Sequence, residues 1–273
     1  MQIQGHDIGV CSWSLRPKNM ADLIAGVQSL GLSHIQLALG SLIELEPKLL
    51  QAELQLLQNS GLHLTSTMIS FPGEDYSTIE RIHQTGGYLS DEFWPSRKQQ
   101  TISASKLTAE LGVKSIGTHI GFVPAKGSAR YAVMLQRIRE ITTALANDGV
   151  TLLLETGQEN AMSLVEFLDD LKATNIGVNF DPANMILYGA GDPIEAIGVL
   201  SKFIQHVHVK DATASSKPSI EWGEEVPFGT GQVGSKRFLA ALHNVSYRGP
   251  LVIEREAGEN RAGDVKTAIE ALR

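Results

Sequence analysis

Eight short apolar runs recur along this chain, and a segment with helical spacing follows each of them. The first four are Ile8–Ser12, His34–Leu39, Leu62–Met68 and Ser115–His119. The other four end at Glu155, near Asp181, near His208 and at Glu254. Strands that alternate with helices form a parallel sheet, because each helix carries the chain back to start the next strand in the same direction.

Punctuation supports this division. Gly31 stops the segment Met20–Leu30, Pro47 opens a helix that Gly61 ends, and Gly112 closes a helix over Lys106–Leu111. Tyr131–Asn147 reads as an amphipathic helix and Asp264–Leu272 as the closing one. Phe71–Ser96 is longer, irregular and aromatic, and reads as an excursion over the rim rather than a linker. Eight such units in about 250 residues match a closed (β/α)8 barrel. The rival, an open doubly wound sheet, commonly has a glycine-rich first turn. Here that turn is Cys11-Ser12-Trp13-Ser14-Leu15, without glycine. The expectation is an α/β chain folded as one TIM barrel domain over residues 1–273.

In a parallel barrel the C-terminal strand ends converge on one rim, where the active sites of this fold lie. Glu155, Asp181, His208 and Glu254 close four of the runs, at separations of 26, 27 and 46 residues. Three carboxylates and one imidazole make a shell for a divalent cation: Mn²⁺, Mg²⁺, Co²⁺ or Zn²⁺, with the oxygen-rich set leaning toward Mn²⁺ or Mg²⁺. His206, His208 and Lys210 share one strand face by alternation. His208 lies nearer the rim, which leaves His206 a layer deeper as a supporting donor. Each residue also has a plainer role open to it. Asp181, followed by Pro182, has the form of a helix N-cap, and a single histidine is commonly a satisfied core residue.

Bulk properties narrow the partners. The formal net charge of −7 argues against general nucleic-acid affinity, which needs Lys and Arg against phosphates. Hydrophobic residues make up 42% of the chain, enough for a real core. Cys11 is the only cysteine, so no intrachain disulfide forms. The first residues lack a basic, then apolar, leader pattern, and no window approaches about 18 apolar residues. A cytoplasmic protein with no membrane span is expected.

Several segments resemble the sugar phosphate isomerase/epimerase group of xylose isomerase-like TIM barrels. They are Leu154-Glu155-Thr156, Asn179-Phe180-Asp181-Pro182-Ala183-Asn184, His206-Val207-His208-Val209-Lys210-Asp211, Leu251-Val252-Ile253-Glu254 and the loop Val226–Val233. The resemblance spans essentially the whole chain. It implies Glu155, Asp181, His208 and Glu254 as metal ligands, Glu155 and Glu254 as the acid–base pair, a small sugar or sugar phosphate as substrate, and homo-oligomers as a common state. Ketohexose 3-epimerases of this group carry histidine where Asn184 stands and arginine where Ala214 stands, which counts against free ketohexose epimerisation. The Lys-x-Glu motif of xylose isomerase itself is not found. The net charge counts against an endonuclease IV-type phosphodiesterase.

The implied chemistry is metal-dependent isomerisation or epimerisation through an enediolate. The alternatives are a dehydratase or lyase acting on a keto-inositol or keto-sugar on the same scaffold, and a sugar binder without turnover. Other rim candidates are His119 as a contact to a substrate hydroxyl, Trp13 as a stacking surface and Lys210 as a contact to an oxyanion or phosphate; Gln36 reads as structural. Arg255 and Glu256 are expected to pair with each other. Gly229-Thr230-Gly231 is either a turn or a phosphate cradle. Phe93-Trp94-Pro95 reads as exposed, available to a partner or to the pocket.

Overall fold

The computed structural model describes residues 1–273. A two-residue strand, β1 (Gln2–Ile3), turns through Gln4-Gly5 and pairs antiparallel with β2 (His6–Cys11). The chain then alternates: α1 (Met20–Ser29), β3 (His34–Ala38), α2 (Pro47–Asn59), β4 (His63–Met68), α3 (Ile79–Thr85), α4 (Trp94–Glu110), β5 (Ser115–Thr118), α5 (Ala129–Asn147) and β6 (Thr151–Glu155). It continues with α6 (Ala161–Leu171), β7 (Ile176–Phe180), α7 (Pro182–Tyr188), α8 (Pro193–Leu200) and β8 (Ile204–Val209). An antiparallel hairpin, β9 (Asp211–Thr213) with β10 (Glu224–Val226), rises from the end of β8. Then come α9 (Ser235–Asn244), β11 (Leu251–Ile253) and α10 (Arg261–Leu272).

Eight strands pair in parallel, β2 to β8 and then β11, and the sheet closes because β11 and β3 both pair with β2. The chain is thus an α/β protein with a closed eight-stranded parallel barrel. Strands buried on both faces read as nearly continuous apolar runs. All five residues of β7 are buried, and four of the five in β6. Outside the barrel the helices bury stripes such as Met134, Ile138, Ile141 and Leu145 of α5.

The excursion between β4 and β5 is more regular than its sequence suggests. It contains α3, and α4 already begins at Trp94. The sequence signal there is weak because α4 buries Arg97, Thr101, Ser105 and Thr108, not an apolar stripe. Arg97 donates to the carbonyls of Gly87 and Pro72 and lies over the rings of Phe71 and Phe93. Gly87 has φ +62°, and a Cβ there would lie 1.9 Å from the Ile120 carbonyl, so this crossing requires glycine. Phe93 and Trp94 are half-buried, not exposed. Trp94 packs edge-on against Tyr88 under the guanidinium of Arg137, and so serves the fold.

Candidate active site

Strand ends place the four predicted residues on one rim. Glu155 ends β6, Asp181 follows β7, His208 is in the last turn of side chains on β8, and Glu254 follows β11. Their ligand atoms all lie within 4.8 Å of one another, and all four residues are buried. The Nδ1 of His208 faces the three carboxylates, at 3.1 Å from Glu155, 3.2 Å from Glu254 and 3.4 Å from Asp181. On its other edge, Nε2 lies 2.6 Å from Gln36 Oε1. That acceptor fixes the proton on Nε2 and leaves the Nδ1 lone pair toward the carboxylates, the arrangement a metal-binding histidine needs.

Asp181 fills both roles that its sequence context allows. One carboxylate oxygen caps α7 by accepting from the Asn184 N–H at 2.9 Å, and the other faces His208. Three carboxylates with side chains no more than 4% exposed meet here, and Lys210 is the fixed cation among them. Buried charge of one sign needs compensation. Hard oxygen donors with one imidazole and an excess of negative charge fit a divalent cation.

Each glutamate has its own support. His119 Nε2 lies 2.8 Å from Glu155 Oε2, and Asn184 donates to Oε1 at 3.3 Å. Burial opposes charge on this pair, yet mutual attraction wins. Glu155 is held well below the usual carboxylate range by His119 and His208, and His119 is pushed up to about 9 by Glu155. Glu254 accepts from the Trp13 indole N–H at 2.7 Å through Oε1 and from Lys210 at 2.9 Å through Oε2. At His208 burial opposes a positive charge, but Cys11, Glu254 and Asp181 beside the ring favour one and outweigh it, so the Nδ1 edge attracts a cation, either a proton or a metal ion in its place. Cys11 lies 3.6 Å from His208 Nε2 and is a neutral thiol, pushed up to about 12 by burial.

The remaining candidates divide. His206 sits a layer deeper, 2.6 Å from Asn179 Oδ1 and 3.0 Å from Thr65 Oγ1, and burial lowers it well below an ordinary histidine. Asn179 lies between the two histidines, with Nδ2 3.1 Å from His208 Nε2. Trp13 turns its N–H edge to Glu254, so it has a hydrogen-bonding role that stacking alone would not give. Lys210 is ion-paired on several sides: Glu256 at 2.7 Å, Glu254 at 2.9 Å, Asp181 at 3.8 Å and Glu225 at 4.0 Å.

One expectation is overturned. Arg255 and Glu256 do not pair. Neighbours along an extended chain point to opposite sides, so Glu256 reaches Lys210 while Arg255 bonds Glu225 and Asp264 at 2.7 and 2.8 Å. Of the two readings open to the glycine loop, the structure has the turn: the Thr230 N–H donates to the Pro227 carbonyl at 3.0 Å, and the loop is no free phosphate cradle. Buried Asp211 accepts the N–H groups of Ala212, Gly229, Gly231 and Val233, each at 2.9 or 3.0 Å.

Residues that sequence reasoning left aside complete the rim. Gln36 and Asn179 fix the histidines, Asn184 joins Glu155 to Lys210, and Gln158 touches His119 and Tyr188. Position was the available signal. Gln36 and Asn179 are polar residues inside otherwise apolar strands, and Asn184 is three residues past the Asp181 cap.

A family model described as a xylose isomerase-like TIM barrel matches residues 24–273. The chain belongs to the xylose isomerase-like TIM barrel family. Among solved structures, a xylose isomerase domain protein from Planctomyces limnophilus is 35% identical, with 91% of this chain and 90% of that one covered and a TM-score of 0.86. A xylose isomerase-like TIM barrel protein from Mycobacterium smegmatis, in complex with magnesium, is 16% identical over 98% of this chain and 96% of that one, with a TM-score of 0.72. The 3-keto-D-glucoside 4-epimerase of E. coli is 15% identical over 98% of both chains, with a TM-score of 0.74. At that identity the last two speak for the fold of this xylose isomerase-like barrel alone. No curated protein matches the sequence. No helix of the chain is long and apolar enough to cross a membrane.

Proposed function

We propose that this chain is a divalent-metal-dependent sugar isomerase or epimerase, with Glu155 and Glu254 as its acid–base pair. The observation that carries the reading is the buried convergence of Glu155, Asp181, His208 and Glu254 within 4.8 Å. These four would hold the cation. A magnesium complex of a protein with the same fold and the sugar chemistry of another support the choice of class. When bound, the cation supplies Lewis-acid polarisation of a carbonyl and its neighbouring hydroxyl.

The protein's own groups then have defined tasks. A carboxylate removes the proton from the carbon next to the carbonyl, giving an enediolate, and a second group returns a proton. Glu254 is poised as the base, since the Trp13 N–H and Lys210 fix the direction of both its oxygens. Glu155 carries a protonatable neighbour in His119, so proton return from that side has a source. Return to the opposite face of the same carbon is epimerisation, and return to the adjacent carbon is isomerisation. Asn184 and Lys210 hold the separation of the two glutamates.

Solvent-deuterium incorporation tests this. With Mn²⁺, Mg²⁺ or Co²⁺ supplied, a panel of ketoses and keto-glycosides is expected to gain deuterium at the carbon beside the carbonyl. Glu155→Gln and Glu254→Gln are each expected to abolish it. Full exchange in both variants would reject the assignment, and a product that had lost water would show a lyase instead.

A further inference from the structure

At the opposite end of the barrel, the strand starts carry a second cluster of metal-ligating side chains. Asp7 lies at the start of β2, His34 opens β3 and His63 opens β4. These three strands are neighbours, next to the point where the barrel closes. His34 and His63 are direct register partners, and their rings lie 5.0 Å apart. Asp7 stands two residues before Gly9, whose register partner is His34. Residues two apart share a strand face, so all three side chains project to the same side.

The three groups are spaced as ligands. Nε2 of His34 lies 3.7 Å from Oδ2 of Asp7, too far for a hydrogen bond. Two donors each about 2.1 Å from a tetrahedral zinc ion stand about 3.4 Å apart. The outer atoms of both groups are already engaged. Gln2 donates to Oδ1 of Asp7 at 2.9 Å, and Ser33 Oγ lies 3.2 Å from Nδ1 of His34. That support leaves Oδ2 and Nε2 to face each other. Burial lowers His34 below an ordinary histidine, with His63 adding to the effect against the pull of Asp7, so its ring is neutral at pH 7 and keeps a lone pair. His63 is exposed, and its ring nitrogens bond no other group of the chain, so it can turn toward an ion beside His34.

We propose that Asp7, His34 and His63 form a second metal site, which takes Zn²⁺ or Cu²⁺ and staples the starts of three strands. Two imidazoles and one carboxylate suit these borderline ions, whereas the oxygen-rich rim suits Mn²⁺ or Mg²⁺. The two sites are thus separated by chemistry as well as by the length of the barrel, and Mn²⁺ is left to the rim. In this fold the strand-start face serves stability and the opposite face serves turnover. An ion that joins β2, β3 and β4 binds the folded chain and not the unfolded one, and so stabilises it. The inference does not depend on the reaction at the rim.

Calorimetric titration of Zn²⁺ into the metal-stripped full chain tests this without turnover. The wild type is expected to bind one ion at the rim and one at the base. His63→Ala and Asp7→Asn are each expected to lose the base ion, or to weaken it at least about tenfold, and to keep the rim ion. Asp181→Asn is expected to do the reverse. His63 is exposed, so its replacement does not threaten the fold. Cu²⁺ bound to Asp181→Asn is expected to show two imidazole nitrogens by electron spin resonance, and fewer once His63→Ala is added. Saturating Zn²⁺ is expected to raise the melting temperature of Asp181→Asn, and not that of the same chain carrying His63→Ala. Zinc stoichiometry and affinity unchanged by both base variants, or a copper spectrum unchanged by His63→Ala, would overturn the proposal and leave Asp7 and His34 an ordinary ion pair. Loss of the base ion with the rim ion intact, or the reverse, tells failure of this inference from failure of the rim reading.

Discussion

Trp13 and Glu254, distant in sequence, are joined by a hydrogen bond of 2.7 Å from the indole N–H to Oε1. The bond makes Trp13 a positioning residue for the proposed base. Hydrogen bonds to charged groups are worth about 1.5–3 kcal/mol. Trp13→Phe keeps a ring and removes the donor, so kcat is expected to fall roughly ten- to hundredfold with little change in KM. Steady-state kinetics check this. A rise in KM at constant kcat would instead assign Trp13 to sugar stacking.

Asp211 carries the loop over residues 226–233. Its carboxylate accepts four backbone N–H groups, and it is fully buried. Asp211→Ala leaves these donors without a partner, and is expected to destabilise the fold by about 2–4 kcal/mol. Denaturant midpoints measure the loss. Hydrogen exchange is expected to speed up at Gly229, Gly231 and Val233, and unchanged protection there would contradict the role.

Glu159 is a titration handle outside the metal cluster. Burial pushes it up to about 7, although it accepts the Val123 N–H at 2.7 Å. The folded chain therefore binds this proton more tightly than the unfolded one. Its contribution to stability is full below the unfolded carboxylate value and is lost as pH rises toward 7. Wild type is expected to lose roughly 1–3 kcal/mol relative to Glu159→Gln between pH 5 and pH 8. Urea denaturation of both proteins at the two pH values checks the sign. An equal response in the two would contradict it.

The barrel was readable because its strands are buried on both faces and its helices are punctuated. Runs such as Val150–Leu154 and stops such as Gly31 and Gly61 carry the period directly. The polar cluster was readable because strand ends in a parallel barrel must meet. What sequence hid were contacts that depend on side-chain direction or on buried polar surface. α4 gives almost no apolar stripe because it buries Arg97 and three hydroxyl residues. Arg255 and Glu256 look like a pair until the extended backbone turns them to opposite sides. Gly229 and Gly231 look open until Asp211, eighteen and twenty residues earlier, fills the turn. Trp222 and Tyr76 are too far apart in the chain for any local pattern to join them.

Titration of Mn²⁺ into the metal-stripped chain tests the central claim most directly. One ion per chain is expected, with binding lost or weakened at least about tenfold in Asp181→Asn and in His208→Gln. Binding of no ion, or unchanged binding in both variants, would contradict the account.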